Sequence, residues 1–321
     1  MRLLVTGGAG FIGSNFVRKL INDSGQKISS ITIIDNLTYA GSVENLSGLD
    51  EDTFEFIKGD ICDEQLIQQT TKTKDIVVNF AAESHVDRSI NSASEFVNTN
   101  ILGTQVLLNS MKKHDNGIFI QVSTDEVYGS IDFGSSFEGD KLCPNSPYSA
   151  SKASADLLAY SYYKTFELDI RITRASNNYG RNQYPEKLIP LAITNILLGK
   201  KIPIYGDGSN CRDWIHVDDH VQGILEVISN GTSGSIYNLG GNNVMSNLQI
   251  IEKLLAYMNA DENQIEFVAD RLGHDFRYSL NTTKAEKDIG FRNSVPFQLG
   301  LKDTIDWYMT NRAWWESRVK V

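Results

Sequence analysis

Four glycines directly follow the first apolar segment of the chain, and this feature constrains the fold more than any other. The segment RLLVT ends at Thr6, and Gly7, Gly8, Gly10 and Gly13 come next, so the string reads GxGxxG from Gly8 and GxxGxxG from Gly7. Glycine lets the backbone come close to a pyrophosphate, and a helix that begins here points unpaired N–H groups at it. The pattern therefore predicts a strand, a phosphate-binding loop and a helix in that order.

Apolar runs bounded by turn residues recur along the first half of the chain. They alternate with helical patterns, and they read RLLVT, SITIID, IVVNFAA, IFIQVS and DIRITRAS. Strands that alternate with helices build βαβ units, whose parallel strands are buried on both faces. We therefore expect an α/β fold, namely a Rossmann-type doubly wound parallel sheet with a smaller C-terminal substrate-binding α/β lobe.

The stretch from Glu95 to His114 is expected to be one of the crossover helices. Apolar and small residues recur in it at i, i+3 and i+4 spacing, which places them near one face. These residues are Phe96, Asn100, Gly103, Val106, Leu107 and Met111.

Chain length and loop composition indicate two units. A chain of 321 residues exceeds the usual size of a single core. After about residue 175, the long segments SNNYGRNQYPEKLIP and YGDGSNCRDWIHVDDH replace the regular alternation, and such loops usually carry binding function. We expect a dinucleotide-binding domain over residues 1–175, to which later segments can return, and a mainly substrate-binding domain over residues 176–321.

Charge and cysteine content argue against several kinds of partner. The formal net charge is −10, which disfavours nucleic acids and anionic membranes because phosphates are bound mainly through an excess of Lys and Arg. Cys62, Cys143 and Cys211 are odd in number and widely spaced, so neither a disulfide framework nor a cysteine metal site is indicated. Glycines interrupt the apolar start of the chain too soon for a signal or transmembrane segment. A cytoplasmic location is expected.

A carboxylate at the end of the second predicted strand indicates which dinucleotide is bound. Asp35 closes SITIID, at the distance from the glycine loop where an acidic residue receives the adenosine ribose hydroxyls. Because a carboxylate there repels a ribose phosphate, the sequence favours NAD over NADP. The alternative is a glycine turn that serves packing alone.

Tyr148 and Lys152 lie one helical turn apart in SPYSASK. Ser146 is a plausible N-cap and Pro147 the first helical residue, so both side chains are expected on one face at a helix start. A tyrosine with an ordinary pKa near ~10 must have that pKa lowered to act as a base near neutral pH. The cations that can lower it are the ammonium of Lys152 and an oxidised nicotinamide.

Several motifs together resemble the extended short-chain dehydrogenase/reductase superfamily. TGGAGFIG, YSASK and the hydroxyl of Thr124 match the superfamily, and AAESHVDRSI, STDEVYG, SNNYG, PEKLIP and RLGHDFRY resemble in particular the dTDP-glucose 4,6-dehydratase family. The resemblance extends from Leu3 to about Tyr308. Its most specific element is the pair Asp125 and Glu126 after Thr124, because related sugar-nucleotide epimerases lack that pair.

The resemblance implies a lyase that dehydrates dTDP-glucose to dTDP-4-keto-6-deoxyglucose, a step of deoxysugar biosynthesis, and regenerates its bound NAD. Tyr148 takes the proton of the 4-hydroxyl while hydride leaves carbon 4, with Thr124 bonded to the 4-oxygen and Lys152 holding the nicotinamide ribose. Glu126 then removes the carbon 5 proton, Asp125 protonates the departing hydroxyl of carbon 6, and the hydride returns to carbon 6. In a regular strand Asp125 would point away from its two neighbours, so the backbone must bend near Thr124.

The resemblance also implies binding residues on both sides of the reacting centre. On the cofactor side they are Gly7, Gly10, Phe11, Ile12, Gly13, Asp35, Asn36, Leu37, Thr38, Asp60, Ile61, Phe80, Ala81, Ala82, Ser84, Thr99, Tyr148, Lys152 and Asn178. On the substrate side they are Ser84, His85, Thr124, Asn177, Lys187, Leu188, Pro203, Ile204, Tyr205, Arg212, Asn247, Asp270, Arg271, Leu272, Gly273 and His274. Two positions depart from the family, since Leu272 and Arg181 stand where proline is usual.

Arginines are the expected phosphate ligands of a nucleotide sugar. Arg212, Arg271 and Arg277 are the candidates, because a guanidinium can bind phosphate through two parallel hydrogen bonds. For any single arginine, a surface ion pair is the alternative.

His216 and His220 in HVDDH have the i, i+4 spacing of a metal site. A third ligand motif does not accompany them in the sequence, so a packed or surface helix is expected and a metal is not.

The helix of Tyr148 carries several small residues. Ala150, Ala153, Ala155 and Ala159, together with the helix around Gly103, resemble the two-fold dimer face of the superfamily, and a homodimer is expected. Ordinary core packing of these alanines is the alternative.

Three readings of function remain open at this level. The first is the dTDP-glucose dehydratase. The second is another nucleotide-sugar 4,6-dehydratase or a 4-epimerase, which would not require both carboxylates. The third is a non-catalytic dinucleotide-binding regulatory protein, against which the intact Thr124, Asp125, Glu126, Tyr148 and Lys152 argue. Thymidine cannot be distinguished from uridine on sequence motifs alone.

Overall fold

Strands and helices alternate along most of the chain in the computed structural model, which describes residues 1–23, 27–114 and 117–319. The strands are β1 (Arg2–Thr6), β2 (Ser30–Asp35), β3 (Glu55–Lys58), β4 (Ile76–Asn79), β5 (Ile118–Thr124), β6 (Asp169–Ala175), β7 (Asn177–Tyr179), β8 (Ile202–Tyr205), β9 (Cys211–His216), β10 (Ile236–Leu239), β11 (Val244–Ser246) and β12 (Ile265–Val268). The α-helices are α1 (Phe11–Asp23), α2 (Glu64–Thr71), α3 (Val86–Asn91), α4 (Ser94–Phe96), α5 (Thr104–His114), α6 (Pro147–Phe166), α7 (Leu188–Leu197), α8 (Val217–Asn230), α9 (Asn247–Met258), α10 (Thr283–Ile289), α11 (Phe297–Thr310) and α12 (Arg312–Glu316).

Seven strands form one parallel sheet in the order β10-β6-β5-β4-β1-β2-β3. The order reverses at β1, which pairs with β2 on one side and with β4 on the other. Ligands of doubly wound sheets bind in the crevice beyond the carboxyl ends of the strands, at such a reversal. The predicted Rossmann-type fold is therefore confirmed, and its switch point lies at the glycine loop.

Both faces of this sheet are covered by helices. Side chains of successive strand residues point to opposite faces, so Ile120 of β5 packs with the core on the side of α1 and α8, while its neighbour Phe119 packs with α2, α5 and α6. Ile120 and Phe119 are both completely buried. This double coverage explains why the strands read as continuous apolar runs.

Residues after 175 contribute to two parts of the molecule. The segment from α8 to β10 returns to the large sheet, where α8 packs against α1 and β10 pairs with β6. Helix α10 also packs against α8 and β10. Most of the remaining segments form a three-stranded sheet, β11-β9-β7, and a two-stranded sheet, β12-β8, around a core that includes Ile193, Ile204, Trp214, Ile251 and Leu301. A division into two units at residue 175 stays a prediction.

The helix predicted between Glu95 and His114 is present, and it contains a π-helical stretch. It runs from α4 through a π-helix at Val97–Gly103 into α5. The residues predicted to share its inner face are all buried, and they are Phe96, Asn100, Gly103, Val106, Leu107 and Met111.

Three of the four alanines noted in α6 do not lie on an outer face. Ala153, Ala155 and Ala159 are 5%, 0% and 0% exposed and belong to the core of the chain itself, whereas Ala150 is partly exposed. The large apolar side chains that α6 presents outward are Leu157, at 60% exposure, Tyr160, at 37%, and Phe166 at the end of the helix, at 40%. Small residues lie inward here because the helix packs closely on its neighbours in the same chain.

Candidate active site

The glycine loop is built so tightly that side chains cannot replace its hydrogens. Gly7 has φ of +68°, and a Cβ added there would lie 2.6 Å from the backbone nitrogen of Ala81. At Gly13 an added Cβ would lie 2.3 Å from the carbonyl oxygen of Gly7. The first turn of α1 therefore approaches the end of β1 closely. This turn, whose N–H groups lack intrahelical partners, lines the cavity described next through Phe11, Ile12 and Gly13.

A cavity runs from this loop along the carboxyl ends of the strands to Tyr148. Most residues predicted to bind the cofactor line it, together with Lys187 from the substrate side. They are Gly7, Gly10, Phe11, Ile12, Gly13, Asp35, Asn36, Thr38, Asp60, Ile61, Phe80, Ala81, Ala82, Ser84, Thr99, Tyr148 and Lys152. Leu37 and Asn178 lie outside the lining: Leu37 donates its backbone N–H to Asp35, and Asn178 pairs with His220 at 2.9 Å.

Eleven further residues that the sequence analysis did not predict also line the cavity. Most of them come from segments 39–41 and 183–186, whose paths depend on long-range packing. The only sequence signal for any of these residues was the presence of glycine at positions 41 and 59. The set is Ile34, Tyr39, Ala40, Gly41, Gly59, Glu83, Val122, Ser123, Gln183, Tyr184 and Glu186. Tyr39 is held between the Arg88 guanidinium, 3.6 Å from its ring centroid, and the Tyr184 ring at 5.4 Å.

Asp35 lies at the end of β2 with its carboxylate in the cavity wall. It accepts hydrogen bonds from the backbone N–H of Ala9 at 2.9 Å and of Leu37 at 2.8 Å. Burial raises the pKa of Asp35, and these bonds act against that rise. The carboxylate thus ties the glycine loop to the segment after β2, and it stays where a ribose would be received.

The start of α6 places Tyr148 and Lys152 on one face, as predicted. Ser146 is the N-cap, its hydroxyl accepts from the N–H of Ser149, and Pro147 begins the helix. The Nζ of Lys152 donates a 2.7 Å hydrogen bond to the carbonyl oxygen of Val122 in β5. Burial lowers the pKa of Lys152 to about 8, and the Asp156 carboxylate opposes this shift. Lys152 is therefore fixed against the central strand.

The backbone bends where the sequence requires it to. Strand β5 ends at Thr124, and a 3₁₀-helix begins at Asp125 and ends at Tyr128. The Thr124 hydroxyl accepts from the N–H of Glu126 at 3.3 Å and donates to the Asp125 carboxylate at 3.2 Å. Because the chain turns here, successive side chains no longer point to opposite faces as they do in a strand. The side chains of Thr124, Asp125 and Glu126 therefore lie in one region.

The two carboxyl groups experience different surroundings. Burial raises the pKa of Asp125 well above its ordinary value, and the charges of Glu126 and Asp213 raise it further. Burial also raises the pKa of Glu126, but the cations of Arg271, Arg212 and Lys187 counteract it. Asp125 is 3% exposed, and its Oδ2 has no hydrogen-bond partner among the described residues. One carboxyl is therefore suited to hold a proton and the other to lose it.

Tyr148 connects the cavity with the acid pair. Burial raises the pKa of its phenol well above the ordinary value, the charges of Glu126 and Asp125 also raise it, and a hydrogen bond with Thr124 lowers it. Tyr148 lines the cavity, whereas Thr124, Asp125 and Glu126 are not part of its lining. The phenol therefore needs added positive charge to act as a base.

Two of the predicted phosphate arginines lie near Glu126. The Arg212 guanidinium donates to the carbonyl oxygens of Cys211 at 2.7 Å and Asp275 at 2.9 Å, and it lies 4.6 Å from the ring centroid of Tyr278. Arg271 lies 3.5 Å from Asp87, and its Nε has no hydrogen-bond partner among the described residues. By contrast, Arg277 donates to the carbonyl oxygen of Gly134 at 2.7 Å and so holds a loop.

The other residues predicted for the substrate come from several elements. His85 caps α3 and lies 3.4 Å from Glu186, Lys187 donates to the Ser84 carbonyl oxygen at 2.9 Å, and Leu188 begins α7. Asn177 lies on β7, Pro203, Ile204 and Tyr205 on β8, and Asn247 at the start of α9. In the segment 270–274, Asp270 bonds His274 at 2.6 Å, and Leu272 is 77% exposed.

His216 and His220 serve the packing of α8. The His216 ring caps the helix by accepting from the N–H of Asp218 at 3.3 Å. His220 is fully buried and bonds the Asn178 side chain at 2.9 Å, and burial lowers its pKa to about 3. In the part of the chain that the structure describes, no group of three or more His, Cys, Asp or Glu residues is arranged to hold a metal ion.

Comparison with known proteins gives long and consistent matches. The family model described as GDP-mannose 4,6 dehydratase matches residues 4–304. The chain is 49% identical over 319 residues to a dTDP-glucose 4,6-dehydratase of Streptomyces niveus, covering 98% of this chain and 95% of the relative. A solved structure of a dTDP-glucose 4,6-dehydratase double mutant from Streptomyces venezuelae, with NAD bound, has a TM-score of 0.98 at 50% identity, covering 99% and 100% of the two chains.

Shape alone does not separate dehydratases from epimerases. A UDP-glucose 4-epimerase from Thermotoga maritima has a TM-score of 0.90 to this chain at 29% identity, covering 97% of this chain and 100% of that one. The choice between the two kinds of enzyme therefore has to be argued from side chains such as Asp125 and Glu126 and not from the fold.

Proposed function

The chain belongs to the GDP-mannose 4,6 dehydratase family, and we propose that it is an NAD-dependent lyase that converts dTDP-glucose to dTDP-4-keto-6-deoxyglucose. The observation that carries this proposal is the acid pair itself: Asp125 and Glu126 lie side by side at the bend after β5. Burial raises the pKa of both carboxyl groups, that of Asp125 well above its ordinary value, whereas the cations of Arg271, Arg212 and Lys187 limit the rise at Glu126. An oxidation at carbon 4 needs neither group, whereas loss of water across carbons 5 and 6 needs both a base and an acid.

The residues of the cavity fit NAD. The glycine loop offers backbone N–H groups at the start of α1, in a space that an added Cβ at Gly7 or Gly13 would fill. The Asp35 carboxylate in the cavity wall receives a ribose and repels a ribose phosphate. When bound, NAD supplies the hydride acceptor for oxidation at carbon 4, returns the hydride at carbon 6, and carries positive charge while oxidised.

Tyr148 and Lys152 carry out the proton transfer of the oxidation step. Tyr148 removes the proton of the 4-hydroxyl, and the Thr124 hydroxyl bonds the same oxygen. The ammonium of Lys152, whose pKa is about 8, is protonated for the most part at neutral pH and favours the phenolate. Its 2.7 Å bond to the Val122 carbonyl oxygen holds this charge at one place relative to the strand.

Glu126 and Asp125 carry out the elimination. The 4-ketone acidifies the proton on carbon 5, and Glu126 takes that proton as an ionised carboxylate. Asp125 holds its own proton because it is buried, and it delivers this proton to the hydroxyl leaving carbon 6, so that water departs. When the hydride has returned to carbon 6, Glu126 gives its proton back to carbon 5. The proton that Tyr148 took from the 4-hydroxyl then passes to Asp125, and Thr124 hydrogen-bonds both of these groups, so that each is restored for the next turnover.

The substrate's nucleotide is bound on the side of the acid pair away from the cavity. Arg212 and Arg271 are the proposed ligands of the diphosphate, since both lie close enough to Glu126 to lower its pKa and Arg271 has an unpartnered Nε among the described residues. The residues of β8 and the segment 270–274 are the proposed surroundings of the nucleoside.

We further infer that the chain forms a homodimer. Val97 and Leu102 of the π-helical stretch are 49% and 44% exposed, and Leu157 and Tyr160 of α6 are 60% and 37% exposed. The two helical segments are neighbours in the fold, so their outward side chains form one apolar face. An isologous contact between two such faces would bury them.

A cytoplasmic location is part of the proposal. It is supported by the three free cysteines, which fit a reducing compartment, and by the activated-sugar substrate. Within the described residues, each helix is too short or too polar to cross a membrane.

The proposed function is tested with dTDP-glucose deuterated at carbon 4. The deuterium should reappear at carbon 6 of a 4-keto-6-deoxy product, as followed by mass spectrometry and NMR, because the hydride leaves carbon 4 and returns at carbon 6. Tyr148→Phe serves as the control that should form no product. Deuterium retained at carbon 4 with inverted stereochemistry would identify an epimerase instead, and no conversion would favour a binding protein.

A further inference from the structure

The segment after β2 joins the cofactor cavity to a distant part of the chain. We name residues 36–46 the cofactor strap. Its first half, through Gly41, supplies Asn36, Thr38, Tyr39 and Ala40 to the cavity lining. Its second half contains the short 3₁₀-helix Val43–Leu46 and faces α12. The strap therefore touches the dinucleotide site at one end and the last described helix at the other.

The strap is bonded directly to the glycine loop. The carbonyl oxygen of Ala9 accepts two hydrogen bonds from it, one from the N–H of Ser42 at 3.0 Å and one from the Asn45 side chain at 2.8 Å. Asn45 is 1% exposed, so its bonds are shielded from water. Ala9 lies between Gly8 and Gly10, and its position sets the path of the phosphate-binding backbone.

Asn45 is held in turn by Trp314, which lies 269 residues later in the chain. The indole Nε1 of Trp314 donates to Oδ1 of Asn45 at 2.9 Å, and the side-chain amide of Asn182 donates to the same oxygen at the longer distance of 3.3 Å. Because Oδ1 accepts these bonds, the amide nitrogen of Asn45 is directed toward the carbonyl oxygen of Ala9. Trp314 is itself fixed by edge-to-face contact with Trp307, at 5.0 Å between ring centroids. A rigid aromatic residue thus orients the amide that holds the glycine loop.

Arg318 adds a second attachment at the same place. Its guanidinium donates to Oε2 of Glu44 at 2.6 Å and to the hydroxyl of Ser42 at 2.9 Å, and it lies 4.3 Å from the ring centroid of Trp314. These contacts reach the strap only through residues 42–45. The strap is therefore anchored by α12 and the residues that follow it, and not only by the sheet.

We propose that Asn45 and Trp314 are positioning residues that retain the dinucleotide by holding the strap against the glycine loop. The inference rests on the proposed function, in which one dinucleotide must accept a hydride and keep it until elimination is complete. Release of the reduced form between these steps would leave a 4-keto-glucose product and an enzyme unable to finish. Slow release is thus a requirement that an ordinary dehydrogenase does not have.

The test compares two neighbouring tryptophans. Trp314→Phe removes the N–H that bonds Asn45 and keeps most of the packing. Trp315→Phe is the matched control, because the Trp315 indole donates its N–H to the carbonyl oxygen of Tyr308 at 2.7 Å and not to a residue of the strap. Each variant is loaded with NADH, mixed with excess NAD, and the loss of bound-NADH fluorescence gives the release rate.

The expected result is faster release from Trp314→Phe by about fivefold, the effect of losing one hydrogen bond of about 1 kcal/mol. Trp315→Phe should release NADH at the wild-type rate, even if its melting temperature falls. During turnover, Trp314→Phe should also release a larger fraction of reduced dinucleotide into solution.

Two outcomes would overturn the role of Trp314. One is a release rate within about twofold of the wild type, which lies below the effect of one hydrogen bond. The other is equal acceleration in both tryptophan variants, since that would reflect general loosening of the helix. A wild-type chain that binds no NADH at all would instead contradict the proposed function together with this inference.

Discussion

The hydroxyl of Thr124 donates a 3.2 Å hydrogen bond to the carboxylate of the next residue, Asp125, although adjacent side chains of a strand point to opposite faces. The contact exists because the strand ends at Thr124 and a 3₁₀-helix takes over. It brings the residue proposed for oxidation together with a residue proposed for elimination. The two halves of the reaction can therefore be separated by substitutions at adjacent positions.

Replacement of Glu126 by Gln should separate oxidation from elimination. The variant keeps Tyr148 and Lys152, so the absorbance of NADH should still appear on mixing with dTDP-glucose. Product formation should fall by about 10² to 10⁴, the usual contribution of one general base. Stopped-flow absorbance and product NMR measure the two steps. Equal losses in both would contradict the role of Glu126 as the base for carbon 5.

Replacement of Asp125 by Asn should block the elimination one step later. An amide cannot deliver a proton to the leaving hydroxyl, so dehydration should fall by about 10² or more. Glu126 remains, and it should still exchange the carbon 5 proton of the 4-keto sugar with solvent. Deuterium uptake at carbon 5 in D₂O is read by NMR on the recovered sugar. Asp125→Asn should show this exchange and Glu126→Gln should not; an absence of exchange from both would refute the division of roles.

His220 should make the stability of the protein depend on pH. Burial lowers its pKa from 6.5 to about 3, so between these values the unfolded chain binds a proton that the folded chain excludes. The free energy of unfolding therefore falls as the pH decreases through this window. Below pH ~6, the free energy of unfolding of the wild type should fall by about 1.4 kcal/mol per pH unit relative to that of the His220→Gln variant. Urea unfolding of both proteins at pH 7, 6 and 5 measures the difference, and a constant difference would contradict the prediction.

Leu157→Glu should convert the proposed dimer to single chains. Leu157 is 60% exposed in the centre of the outward face of α6, and a carboxylate there would be buried without a partner in the dimer. Leu299→Glu is the matched control, since Leu299 is 59% exposed on α11 and lies away from that face. Light scattering after size-exclusion chromatography gives the masses. A wild-type mass of one chain, or dissociation by both variants, would rule out this interface.

Part of the cavity lining could be predicted because local rules fix it. A glycine loop after a strand, a carboxylate at the end of the next strand and a tyrosine and lysine one turn apart each follow from short sequence spacings. The other residues expected on the cofactor side come from the family resemblance, and seventeen of the nineteen in the whole set line the cavity. Tyr39, Tyr184 and Glu186 were missed because they come from irregular segments whose positions depend on contacts with residues far away in the chain.

The outer face of α6 could not be predicted from its alanines. Small residues permit close approach, but the sequence does not say whether the approaching helix belongs to the same chain or to another. In the structure Ala155 and Ala159 meet neighbours of their own chain, and larger residues such as Leu157 point outward. The bend at Thr124, by contrast, was predicted from function, because the chemistry required three adjacent groups to meet.

The hydrogen bonds of Asp35 restrict how the cofactor specificity of such an enzyme can change. The Asp35 carboxylate disfavours a ribose phosphate, and the same two oxygens accept from Ala9 and Leu37. A substitution of Asp35 that removes both acceptor oxygens would therefore leave two backbone N–H groups without their partner. A change of specificity toward NADP must remove the charge and still keep an acceptor, as an amide or hydroxyl side chain can, so the architecture of the loop narrows the replacements open to evolution or engineering.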